Sequence, residues 1–303
     1  MTVSPARARL RATLVDARVL VPTDAPGVYG RSAAFESVVE GLEGLVLRAG
    51  ADRPVASVRF PPVLPRTVFE ASGYLESFPD LIGSVHTFAG DEASHAALLA
   101  AVESGESWTD GLVPADVMLC SAVCHPLYPT CAGTLPAGGR RVEVSGWCFR
   151  HEPSEDPFRM QAFRQHDYVA LDGPDEARRH RDDWIQRGAS LLGRLGLEVE
   201  AVAANDPFFG RAGRLLAASQ RTQELKLELV ARIDDDDPPV ALCSANSHLD
   251  HFALPFGIAT ADGEVAHTSC FGFGLDRITL ALLARHGPDP DRWPAAVRSA
   301  LWP

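Results

Sequence analysis

CFRHEPSEDPFRMQAFRQHDYV, residues 148–169, is the stretch whose reading decides the fold. Ahead of it RVEVSGW (141–147) alternates as a strand, and Tyr168-Val-Ala-Leu continues a second one. Between them Pro153, Ser154, Asp156 and Pro157 make a turn-rich segment, so the whole predicts a hairpin with a long tip. Side chains two apart on a strand share a face. That parity puts Arg150 beside Glu152 on one strand, and Phe163, Gln165 and Asp167 together on the other. A guanidinium, a carboxylate and an aromatic ring on one sheet face suit a nucleotide. The arginine takes a phosphate, the ring stacks on the base, and the glutamate accepts from an exocyclic amine. Taken alone, a surface hairpin with solvated charges accounts for the same residues.

A second stretch, HTSCFGFGLDRITLALLARHG (267–287), runs from a strand through a glycine-containing turn into an amphipathic helix that stops at Gly287. Arg277 falls in the first turns of that helix, where the free N–H groups favour anions. Together the two stretches carry a resemblance. Phe149-Arg150-His151-Glu152, then a loop, then Arg159 and Phe163, resembles motif 2 of class II aminoacyl-tRNA synthetases; Gly272-Phe-Gly-Leu-Asp-Arg277 resembles their motif 3. The resemblance implies an α+β fold, a class II catalytic core with a mainly antiparallel sheet flanked by helices.

Composition bounds the rest. A chain of 303 residues, 46% hydrophobic, is long enough for a substantial core. No apolar run approaches bilayer length, and residues 1–20 lack the uninterrupted apolar centre of a signal peptide, so no membrane partner is expected. Six cysteines without a Cys-x-x-Cys pair indicate neither a disulfide framework nor a zinc ribbon, which suggests a cytoplasmic setting. Lys plus Arg number 28 against 40 Asp plus Glu, a net charge of −12. A protein gripping tRNA usually shows a basic footprint, and this length leaves little room for an anticodon-binding domain; a catalytic core that does not use tRNA is expected.

In chain order, residues 1–30 read as a loosely attached arm, and residues 31–303 as one catalytic domain with a helical insertion around 174–221. Phe35, Val38, Val39, Leu42, Leu45 and Leu47 make mostly a helical stripe stopped by Gly50, and VASVRFPP (55–62) a strand closed by prolines. That sequence of elements has the general shape of class II motif 1, a dimerisation element, so a homodimer is expected. Asp91–Val102 and Asp175–Leu195 read as helices, Ala115–Val123 as a buried strand, and residues 223–233 and 240–246 as a strand pair around an acidic turn.

At Cys124 the resemblance narrows. Cys124-His-Pro-Leu-Tyr-Pro, His166-Asp-Tyr-Val and Ser269-Cys-Phe-Gly-Phe-Gly resemble the zinc-site segments of the amino acid:[carrier protein] ligases, truncated relatives of the zinc-dependent seryl-tRNA synthetases. Similarity extends from about Phe35 to Trp302 and includes NDPFFGR (205–211) and ELKLE (224–228). It implies activation of a small amino acid with ATP and transfer to the phosphopantetheine thiol of an acyl or peptidyl carrier protein. It also implies Zn2+ on Cys124, Asp167 and Cys270, although the family has Glu where this chain has Asp167. Two thiolates and a carboxylate with an open position form a catalytic zinc shell. Cys131 is a rival ligand, while Cys120, Cys148 and Cys243 read as core. By the same resemblance Arg150 holds the α-phosphate, Glu152 the adenine amine, Phe163 the ring, and Arg159 and Arg277 the outer phosphates. Mg2+ is expected with ATP. Its candidates are Glu228 and, through waters or phosphates, Ser244 and Asn246.

Docking of the carrier is expected at a local basic patch: Arg211 and Arg214, or Arg178, Arg179 and Arg181 on the helix after the hairpin. A ligase with a small-molecule or peptide acceptor, and a non-catalytic paralogue that senses a nucleotide or amino acid, are the competing readings.

Overall fold

The structure, a computed structural model, describes residues 3–53, 55–204, 225–234 and 237–303. Its centre is the hairpin: β2 (Arg140–Phe149) pairs antiparallel with β3 (Ala162–Asp172) from Arg140↔Leu171 to Phe149↔Ala162. The edge strand β1 (Ala56–Arg59) lies parallel to β2. On the other side β3 is followed by β7 (His267–Gly274), β6 (Val240–Leu249), β5 (Lys226–Ala231) and β4 (Val199–Ala203), each antiparallel to its neighbour. Among the described residues this makes a seven-stranded sheet in the order β4-β5-β6-β7-β3-β2-β1. The expected α+β, mainly antiparallel architecture is the one present.

Three helices cover one face. In α2 (Ala33–Gly50) the Ser32 hydroxyl caps the start by accepting from the Phe35 N–H at 3.3 Å, and Phe35, Val38, Val39, Leu42, Leu45 and Val46 turn inward. In α3 (Pro174–Arg194) Trp184 stacks on Tyr168 of β3, with centroids 3.8 Å apart. The third, α4 (Leu275–His286), begins where β7 ends and buries Ile278 through Leu283. Burying each such large side chain stabilises the fold by about 1.5–3 kcal/mol, and together they fix the sheet as a rigid floor. Its opposite face carries the cavity described below.

Several local details differ from the expectations. The N-terminal arm is not loosely attached: helix α1 (Pro5–Asp16) buries Leu14 and Arg7, and Arg7 is ion-paired to Asp156 and Asp237. Leu14 joins the main core with Leu10 and Val15 against it, and the Arg7 ion pairs add a polar hold. Arg150 and Glu152 lie just past the last ladder pair of β2, not within the strand. The strand expected to be buried is found at Val113–Leu119 and is only partly buried. It is the centre of a small sheet with Val63–Pro65 and Ser84–Thr87, with only Met118 buried. Of residues 174–221, α3 and β4 are built onto the sheet; 205–221, with Arg211 and Arg214, lie outside the described residues. In α3, Arg179 pairs with Glu176 and Arg181 with Asp182, so these two charges are locally neutralised. Among the described residues no helix is long and apolar enough to cross a membrane.

Candidate active site

Register explains why side chains distant in sequence meet. Residues opposite each other on neighbouring strands share a sheet face. The pairings Glu228↔Ser244, Ser244↔Gly272 and Gly272↔Asp167 therefore run across one face as a row. Lys226↔Asn246 and Asn246↔Cys270 form the next row. Phe163 and Gln165 stand on the same face of β3 by the two-residue period. Gly272 is required by a close approach: a Cβ there would sit 2.6 Å from Asp167 Oδ1.

At one end of this face Cys124, Asp167 and Cys270 bring their ligand atoms within 4.8 Å of one another, all three buried. Asp167 Oδ1 is buried without a hydrogen-bond partner. Burial, reinforced by Cys270, pushes the Asp167 carboxyl up to about 8. The Cys124 thiol lies in hydrogen-bond contact with Cys270, which holds Cys270 well below the usual thiol range and raises Cys124. His248 Nε2 at 3.6 Å and Asn246 Nδ2 at 3.5 Å favour the Cys270 thiolate further. A cation bonded at about 2.0–2.3 Å to two thiolates and a carboxylate would relieve the orphaned oxygen and the mutual repulsion. The donor set fits Zn2+, and the shorter Asp167 still reaches the cysteines. Cys131 lies elsewhere, with Arg140 Nη1 3.6 Å from its sulfur.

From this cluster the cavity runs along the sheet in two joined lobes, of about 440 and 490 Å³. Tyr74, Arg150, Lys226, Glu228 and Arg277 border both. The first lobe holds the three candidate ligands with Phe163, Ser244 and Asn246; the second holds Glu152 and Arg159. Arg150 Nε donates to the Ser121 carbonyl at 3.1 Å, and its guanidinium lies 5.4 Å from the Phe163 ring centroid. Arg277, third in α4, donates from Nε to the Phe158 carbonyl at 2.9 Å. Burial lowers its pKa, with Arg150 acting in the same direction. Glu152 accepts from Arg159 at 2.9 Å, so those two side chains pair with each other in this state.

Arg150, Glu152, Arg159, Phe163, Glu228, Ser244, Asn246, Arg277 and the Cys124–Asp167–Cys270 cluster line this one cleft, and Cys131 does not. Two neighbours were missed. Lys226, 3.2 Å from Glu228, shares that residue's face, and His248 shares the face of Ser244 and Asn246. The two-residue period of β5 and β6 carried both signals.

No protein-family model matches the chain. Amino acid--[acyl-carrier-protein] ligase 1 of Bradyrhizobium diazoefficiens is 43% identical over 277 residues, spanning 91% of this chain and 85% of that protein. The chain belongs to the amino acid--[acyl-carrier-protein] ligase family. Membership makes it an enzyme, a ligase. The type-2 serine--tRNA ligase of Methanopyrus kandleri is a more distant relative of this ligase, 27% identical over 59% of the chain and 37% of that protein. In fold the ligase is similar to M. kandleri SerRS, crystallised in complex with A. aeolicus tRNASec. The TM-score is 0.82 at 20% identity, over 96% of this chain and 60% of that one. The fold of the ligase is thus a class II synthetase core.

Proposed function

We propose that the ligase activates a small amino acid with ATP as the aminoacyl-adenylate and passes it to the phosphopantetheine thiol of a carrier protein, without tRNA. The observation that carries this reading is a single cleft with a Cys2Asp cluster at one end, arginines at its waist and a carboxylate–arginine pair in the outer lobe. The name of the 43% identical relative supplies the acceptor class.

In the first step the amino-acid carboxylate attacks the α-phosphorus of ATP and pyrophosphate leaves. Arg150 neutralises the charge that builds on the α-phosphate, a contact that matters most in the transition state. Arg277 and Arg159 hold the outer phosphates. Glu152 turns from Arg159 to accept from the adenine amine, and Phe163 stacks on the base. Mg2+ accompanies ATP with Glu228 as its nearest carboxylate candidate and Ser244 and Asn246 beside it. Cys124, Asp167 and Cys270 hold Zn2+, which when bound supplies an electrophilic anchor for the free amine of the substrate. Phe252, His125 and His248 close around this end and favour a small side chain. In the second step the carrier's thiolate attacks the adenylate carbonyl, a thioester forms, and AMP leaves with the electron pair of the broken C–O bond.

The net charge of −12 weighs against a partner recognised through a phosphate backbone. Docking of the carrier belongs to Arg211 and Arg214. The motif 1-like pair of α2 and the exposed edge strand β1 supports a homodimer.

The test is ATP–pyrophosphate exchange with a panel of small amino acids. Wild-type protein exchanges with at least one of them, and Arg150→Ala and Arg277→Ala each lose about a hundredfold or more in rate. Exchange at the wild-type rate in either variant removes that arginine from the site.

A further inference from the structure

Helix α1 reads as an arm apart from catalysis, yet its first turn walls the nucleotide lobe: Ser4 and Arg7 line it together with Arg150, Glu152, Arg159 and Arg277. Arg7 is only 7% exposed. Its Nη1 donates to both carboxylate oxygens of Asp156 at 3.3 Å, and its Nη2 to the Pro238 carbonyl at 3.2 Å. Nε lies 3.3 Å from Asp237 Oδ2, and the guanidinium covers the Phe158 ring at 4.6 Å from the centroid. One side chain thus joins the tip of the central hairpin to the turn between β5 and β6.

The groups Arg7 grips organise the hairpin tip. Asp156 Oδ1 accepts from the Phe158 N–H at 3.0 Å, and the Asp156 carbonyl accepts from the Arg159 N–H at 2.9 Å. The Phe158 carbonyl is in turn the acceptor that fixes Arg277 Nε at 2.9 Å. Backbone placement of Arg159 and side-chain placement of Arg277 therefore both pass through residues held by Arg7. The segment after α1 adds a second brace. Gly27, at φ +76°, lets the chain come so close that a Cβ would stand 3.0 Å from the Arg159 carbonyl, and its own carbonyl accepts from the Gln161 N–H at 2.9 Å.

We propose that Arg7 is a positioning residue for ATP, holding the hairpin tip in the arrangement that presents Arg159 and Arg277 to the phosphates before the nucleotide arrives. The proposal rests on the reading of this lobe as the ATP site. A tip without its brace must be ordered when ATP binds, and that ordering weakens binding; once ATP saturates, the reacting groups are the same. The signature is therefore in KM for ATP, not in kcat.

The experiment is exchange kinetics on the full chain, with ATP and amino acid titrated separately. Arg7→Ala raises KM for ATP about tenfold, with kcat and the KM for amino acid within about twofold of wild type. Arg7→Lys falls between, because an ammonium keeps the charge without the planar fork. Asp156→Asn, which retains an acceptor for the Phe158 N–H, reproduces the effect. The double variant loses less than the product of the two, as coupled partners do. Should Arg7→Ala not fold by thermal melting, Arg7→Lys and Asp156→Asn carry the test. An unchanged KM for ATP in these variants, or a fall in kcat alone, overturns the positioning role while leaving the ATP reading intact. Wild-type protein that neither exchanges nor binds ATP by calorimetry overturns both.

Discussion

Asp167 is the residue on which the site's chemistry turns. Its carboxyl is buried, its Oδ1 has no hydrogen-bond partner, and two cysteine sulfurs stand beside it. Isolated protein should contain about one zinc per chain by metal analysis. Asp167→Ala should lose the metal, whereas Asp167→Glu, the residue that the sequence resemblance implies, should keep it and shift preference among small amino acids. Full zinc in the alanine variant would take Asp167 out of the shell. Gly272→Ala is a subtler test: its Cβ would press on Asp167 Oδ1 at 2.6 Å. Zinc affinity should therefore fall, with a stability loss of about 1–3 kcal/mol from the overpacking; unchanged affinity would mean the carboxylate has another way to the metal. At this scale much was legible, because strand parity places Phe163, Gln165 and Asp167 together and the motifs single out both cysteines. Lys226 and His248 escaped notice although each stands two residues along its own strand from a residue already singled out, Glu228 and Asn246.

Among the elements, the central hairpin, α2 and the turn into α4 were readable from period, caps and glycine stops; the hairpin and that turn line the site, while α2 backs the sheet from its other face. Helix α1 was not readable as a docked element, since the partners of its side chains lie far off in sequence, Asp156 standing 149 positions from Arg7. Helix α3 offers a test of packing through pH. His180 is buried against Ser269, with Nδ1 and Oγ 3.2 Å apart, and burial depresses its pKa to about 3. The folded value lies below the unfolded 6.5, so the unfolded chain binds the extra proton and stability falls as pH drops from about 6.5 towards 3. At pH 5 the loss is about 2 kcal/mol from this group. Denaturant melts at pH 5 and pH 7 should show the difference, and His180→Gln should remove its own share, with His125, likewise held to about 3 by burial, carrying a similar one. An undiminished difference in that variant would place the acid sensitivity elsewhere.

For the whole molecule, fold and family do different work. The class II core accounts for the antiparallel sheet, and family membership narrows what the face carrying the arginines and the Cys124–Asp167–Cys270 cluster is for. Arg211 and Arg214, expected to meet the carrier, lie outside the described residues. The central claim is the acceptor, and intact-mass measurement addresses it most directly. The ligase is incubated with ATP, Mg2+ and the amino acid that supports exchange, together with a phosphopantetheine-bearing carrier protein. The account predicts that the carrier gains the mass of one aminoacyl group, that hydroxylamine removes it as from a thioester, and that the same carrier lacking the phosphopantetheine arm gains nothing. A panel of carriers left at their starting mass, while exchange proceeds and a small amine or peptide becomes acylated instead, would contradict it.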